Sequence, residues 1–115
     1  MDNKILRSFR DMRALKRTYR ECKKRGERLP QDYKVVYQTA SAYMLNFSSN
    51  DADVVNLLPP MLDLLESAAA EGRDVLEVVG DDVMAFCDGL LEGAQTWTGQ
   101  MRAKMNDSIH KKLGR

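Results

Sequence analysis

The chain has 115 residues, 43% of them apolar and 30% charged, which fits one domain able to bury roughly two-thirds of the surface its unfolded form exposes. Its net charge of +1 conceals a separation: residues 1–30 hold eleven Lys or Arg against four Asp or Glu, residues 31–100 two against twelve, and residues 101–115 five against one. Charges scattered through residues 1–12 exclude a secretory signal, and no run approaches the ~20 apolar residues of a membrane span, so a soluble, cytoplasmic protein is expected.

In chain order, Ile5, Phe9, Met12, Leu15, Tyr19 and Cys22 recur at steps of three and four, which predicts an amphipathic helix over residues 4–25 that Gly26 stops. At about 100° per residue, Arg10, Arg13, Arg17, Arg20 and Lys24 fall opposite that stripe and form a cationic ridge ~20 Å long. Pro30, suited to a first helical position, opens a second helix. Its apolar face is Tyr33, Val36, Tyr37, Ala40, Tyr43, Met44 and Phe47, read as core and not as a base-stacking platform.

Residues 48–53 are polar and predict a loop, and a Leu-rich central helix follows over 54–70, with Asn56, Asp63 and Ser67 as a wet edge. Pro59 and Pro60 are expected to interrupt it. Gly72 closes it in a left-handed conformation. Asp74 and Glu77 have capping-box spacing for a short helix that Gly80 ends, and Asp81 is expected to cap the next, whose buried side is Val83, Phe86, Cys87, Leu90 and Leu91. A last helix over about 96–113 carries Trp97, Met101, Met105 and Ile109; its four-residue step drifts about 40° per repeat, so its far end should pack loosely.

The corner at residues 80–82 has the look of a DNA-reading head, two short helices around a glycine. The exposed residues of its second helix are Asp82, Asp88 and Glu92, and no Lys or Arg occurs from Asp74 to Gly93. A duplex presents one negative charge per ~1.7 Å of axis, so repulsion excludes that role and the corner is architectural.

Catalytic chemistry is also poorly provided for. The one histidine, His110, stands among lysines in a terminal turn, and Cys22 and Cys87 are read as structural, with Cys22 open to mild activation by Lys23, Lys24 and Arg25. The cysteines support neither a disulfide framework nor a zinc site, and no Glu-x-x-His pair exists for a di-iron centre. No metal, cofactor or small-molecule substrate is expected, nor an enzyme.

Three blocks, "LPQDYKVVYQTASAYMLNF", "LLESAAAEGRDVLEVVGDDVMAFCDGLL" and "TWTGQMRAKMNDSIHKKLG", in this order, resemble the bacterial family known as domain of unknown function 1048. The resemblance covers residues 29–114, leaving 1–28 as a more divergent, basic helix of the same single domain. It implies an all-α domain of about five to six helices with a left-handed superhelix, and no established activity. It also implies small accessory proteins encoded near transcriptional regulators of the PadR type, some loosely labelled as ferritin-like DNA-binding proteins.

The resulting expectation is a non-catalytic, cytoplasmic interaction or regulatory accessory module. It would bind a protein partner or itself through the first and last helices. The alternative is sequence-independent nucleic-acid binding by Arg10, Arg13, Arg17, Arg20 and Lys24, aided by Arg102, Lys104, Lys111 and Lys112. Docking of the first helix on an anionic membrane ranks below both.

Overall fold

The computed structural model describes the backbone of residues 2–48 and 50–114 and the side chains of residues 9–48, 50–93 and 103–114. Five helices follow in order: α1 (Asp2–Glu27), α2 (Gln31–Phe47), α3 (Asp51–Ala70), α4 (Val75–Val79) and α5 (Val83–Leu113). No strand occurs among the described residues, as the 3.6-residue periodicity requires.

The central helix is α3, which packs against each of the other four. Val54, Leu58, Leu62 and Leu65 are fully enclosed, and each contributes about 1.5–3 kcal/mol through removal of its side chain from water. Around them close Cys22 of α1, Tyr33, Tyr37, Ala40 and Met44 of α2, Val75 and Val79 of α4, and Cys87 of α5. The wet edge read from the sequence, Asn56, Asp63 and Ser67, is exposed. Phe47, expected on the apolar face of α2, is instead 74% exposed, because the helix ends there, beyond the reach of the core.

Several boundaries differ from the sequence reading. Helix α1 does not stop at Gly26 but runs one residue further. Gly26 is a packing residue: a Cβ built there would lie 2.5 Å from Cδ2 and Cε2 of the buried Tyr37, so α1 and α2 approach closely only because that atom is missing. Pro30 stands just outside α2 as its N-cap, and its carbonyl accepts the Lys34 N–H at 2.8 Å. Helix α3 begins three residues early, where the Asn50 side chain accepts the N–H groups of Ala52 and Asp53 and leaves Asp51 and Asp53 in a favourable first turn. It also continues through Pro59 and Pro60. Burial of Leu58, Met61 and Leu62 on both sides of the prolines holds the two turns together, and tertiary packing overrides the break.

At the far end of α3 the Gly72 prediction holds. Its φ is +73°, and the paired bonds Gly72 N–H to Ala69 O and Arg73 N–H to Ala68 O form a Schellman closure. Gly80, at φ +87°, ends α4 as expected, with its N–H bonded to the Leu76 carbonyl at 2.8 Å. Asp74 caps α4 by position but makes no side-chain bond, so the capping box is not closed. The cap of α5 is Asp82, not Asp81: its carboxylate accepts the Ala85 N–H at 3.0 Å, and Asp81 lies exposed before it.

The two helices expected on either side of residues 92–95 are one, α5. Gly89 and Gly93 each cost a helix about 1 kcal/mol relative to alanine, too little to end it where no proline or cap intervenes. At 31 residues, α5 rises ~46 Å, in a molecule whose longest dimension is 55 Å. Its described residues from 103 onward are all exposed, which agrees with the loose packing expected of that end. Trp97 and Met101, expected in its stripe, and Ile5, expected in that of α1, lie outside the described side chains.

Candidate interaction surface

Helix α1 divides along its length. Its C-terminal half is fixed to the core through Cys22 and Gly26, with Leu15 and Thr18 half-buried toward α3. Arg25 clamps the contact: its Nη2 lies 2.7 Å from Asp63 Oδ1, and Nε and Nη2 fork onto the two carboxylate oxygens of Glu66, with Nε at 3.1 Å. These bonds raise the guanidinium pKa further still, the Glu66 bond most. Toward the N-terminus the same apolar stripe leaves the core, and Phe9 and Met12 are 56% and 52% exposed.

The ridge residues Arg10, Arg13, Arg17, Arg20 and Lys24 are all exposed, and none forms an ion pair among the described residues. Asp63 and Glu66, which could have neutralised the ridge, are taken by Arg25. On the helical wheel the ridge centres opposite Cys22 and Leu15, so it points straight away from α3.

Between the ridge and the core runs a groove. Its larger part, about 650 Å³, is lined by Met12, Leu15, Lys16, Tyr19 and Arg20 of α1, Leu45 of α2, and Asp51, Ala52 and Val55 of α3. A smaller part of about 430 Å³ shares Tyr19 and Leu45 and extends to Lys23, Tyr37, Gln38 and Asn46. The floor is apolar and the α1 rim is cationic. Of the ridge only Arg20 reaches it. Lys16 and Lys23 also form the rim and were not singled out from the sequence; both lie within about 40° of Met12 around the helix, a signal that was available in the wheel.

The second basic element does not join the first. Among the described residues α1 touches neither α4 nor α5. Lys104, Lys111 and Lys112 are exposed on α5 beside Met105 and Ile109, themselves 63% and 54% exposed, whereas Arg102 lies outside the described side chains. The opposite charge gathers at the α3–α5 corner, where Glu71, Asp74, Glu77, Asp81, Asp82 and Asp88 are all exposed.

Neither cysteine is poised for chemistry. Burial pushes the Cys22 thiol pKa up, against an opposing pull from Arg25, so the mild activation expected there does not occur. Cys87 is fully buried and likewise raised by desolvation; its thiol points at the Ala40 carbonyl, 3.9 Å away. The Tyr43 hydroxyl donates to Asp88 at 2.9 Å, and the Tyr33 hydroxyl to the Arg73 carbonyl at 2.6 Å; both join α2 to later elements. His110 is exposed. Among the described residues no group of three or more His, Cys, Asp or Glu is arranged to hold a metal, and no helix is long and apolar enough to cross a membrane.

Comparison with known proteins agrees with this architecture. The model of a protein family of unknown function, DUF1048, matches residues 10–110, a span that starts inside α1 and so takes in the ridge. The crystal structure of a DUF1048 protein from Bacillus cereus ATCC 10987, described as having a left-handed superhelix fold, is similar at a TM-score of 0.59 and 42% sequence identity. The likeness covers 63% of this chain and 90% of that one. Among curated proteins, no relative matches the chain.

Proposed function

We propose, from the premise that the chain belongs to the DUF1048 family and shares its left-handed superhelical all-α fold, that it is a non-catalytic, cytoplasmic interaction module with a regulatory accessory role. Its contact elements are the first and last helices. The observation that carries this reading is the split stripe of α1: the spacing that buries Cys22 and half-buries Leu15 continues to Met12 and Phe9, yet those two stand in water. The stripe winds away from the face of Leu15, by about 60° at Met12 and about 120° at Phe9, and large apolar side chains so exposed lose the ~25 cal/mol per Å² that burial supplies, which a partner's surface restores. Met105, Ile109 and Leu113 repeat the arrangement on α5.

The test is photo-cross-linking from a benzophenone amino acid at position 12 or 105, with position 56 on the wet edge as control, combined with sedimentation velocity at micromolar concentration. A defined product from 12 or 105, to a second copy or to another protein, and none from 56, is expected. A strictly monomeric chain that cross-links to nothing from either position contradicts the reading.

A second reading, sequence-independent nucleic-acid binding, is favoured by the five ridge cations, which form no ion pair among the described residues. It requires a gel shift with duplex or single strands at low salt that weakens steeply as salt rises, through counterion release. No shift at low salt ends it.

A further inference from the structure

We infer that the groove between α1 and the α2–α3 pair receives an acidic amphipathic helix of a partner protein; this rests on the interaction-module reading and names its partner class. The floor and walls, Leu15, Leu45 and Val55 with Met12 and Tyr19, offer apolar contact. The two adjoining cavities, which meet at Tyr19 and Leu45, together line α1 from Met12 to Lys23, eleven residues or ~16 Å, which matches three turns of a docked helix whose anchors recur at i, i+3 or i+4, and i+7.

Charge selects the occupant. Lys16, Arg20 and Lys23 line the α1 rim, with Arg13 and Arg17 just beyond, against the single carboxylate of Asp51 on the α3 wall, so the side of the guest that faces α1 carries carboxylates. The exposed apolar end of α5 from a second copy is the wrong sign: residues 103–114 carry Lys104, Lys111 and Lys112 against Asp107 alone. A nucleic-acid strand would meet the cations but would leave the apolar floor unfilled.

The experiment uses the full chain and three fluorescein-labelled designed peptides of about fourteen residues: a helix with a leucine stripe flanked by glutamates, the same helix with lysines in their place, and a scrambled acidic control. Fluorescence anisotropy is expected to show the acidic helix bound at least about tenfold more tightly than the lysine helix or the scramble, with affinity falling as NaCl rises. The surface variants Arg20→Glu and Met12→Glu, their helical circular dichroism unchanged, should each weaken it about tenfold or more. Equal binding of the acidic and lysine helices, no binding of either, or indifference to both substitutions overturns the assignment. Displacement of the acidic helix by a DNA duplex also overturns it, since one site would then serve phosphates. If cross-linking through position 12 persists while the peptides fail, only the partner class falls; if the peptides fail and a strictly monomeric chain cross-links from neither position 12 nor position 105, the module reading falls with it.

Discussion

At the scale of single residues, glycine separates two kinds of helical position. Gly26→Ala forces a methyl to within 2.5 Å of the Tyr37 ring, which is 4% exposed and has nowhere to swing, so α1 must shift from α2. We expect a loss of about 1–3 kcal/mol, the range for overpacking a core, read from the urea midpoint. Gly89→Ala meets nothing within 4 Å in a helical backbone and should gain about 0.5–1 kcal/mol. Both glycines stand in helical sequence and only one is in contact, a difference that lies in the fold and not in the local pattern. The cap of α5 makes the same point, because Asp81 and Asp82 are equivalent as residue types and only the backbone path selects Asp82 as the acceptor for Ala85 N–H.

At the scale of elements, the prolines of α3 offer a direct test of packing against propensity. Pro60 is exposed and lacks the N–H that would bond to the Asn56 carbonyl four residues earlier. Pro60→Ala should therefore stabilise the protein by roughly 1–2 kcal/mol: the helix gains up to about 3 kcal/mol of propensity, partly offset by the greater freedom of the unfolded chain. An unchanged or lowered urea midpoint would show that the two turns of α3 need the proline geometry. Periodicity identified the buried faces of α2, α3 and the start of α5 because burial follows the helical repeat, but not that Phe47 and the Phe9–Met12 end of the α1 stripe lie in water, and positive-φ glycines marked the ends of α3 and α4. It misjudged where α1 ends, whether α3 breaks and whether α5 is one helix or two. Those outcomes depend on neighbours far away in the chain. The ridge was legible because charge and helical angle suffice to place it, whereas the groove was not, since half its lining comes from α2 and α3.

At the scale of the whole molecule, the fold holds protons that the unfolded chain would release. Burial raises the Cys22, Cys87 and Tyr37 pKa values, and the bond to Asp88 raises that of Tyr43. For acids raised in the folded state, the associated stability is complete below the unfolded pKa and is lost as pH rises beyond it. The urea midpoint should accordingly begin to fall near pH 9, the ordinary thiol value, and fall faster above 10, where tyrosines ionise in the unfolded chain. A midpoint flat from pH 7 to 11 would mean that these groups are not enclosed as described. Charge is also segregated at this scale: cations on α1, carboxylates at the α3–α5 corner, and no contact between α1 and α5 among the described residues. The functional proposal depends on α1 being core at one end and unoccupied surface toward the other. Native-state hydrogen exchange of the dilute monomer, resolved by residue along α1, measures that division directly. Strong protection is expected for the amides of residues 18–26, declining toward residues 9–13, with protection of the latter rising when the acidic helix is added. Amides at 9–13 protected as fully as those at 18–26 in the free monomer would show the stripe already covered, and would contradict the proposal.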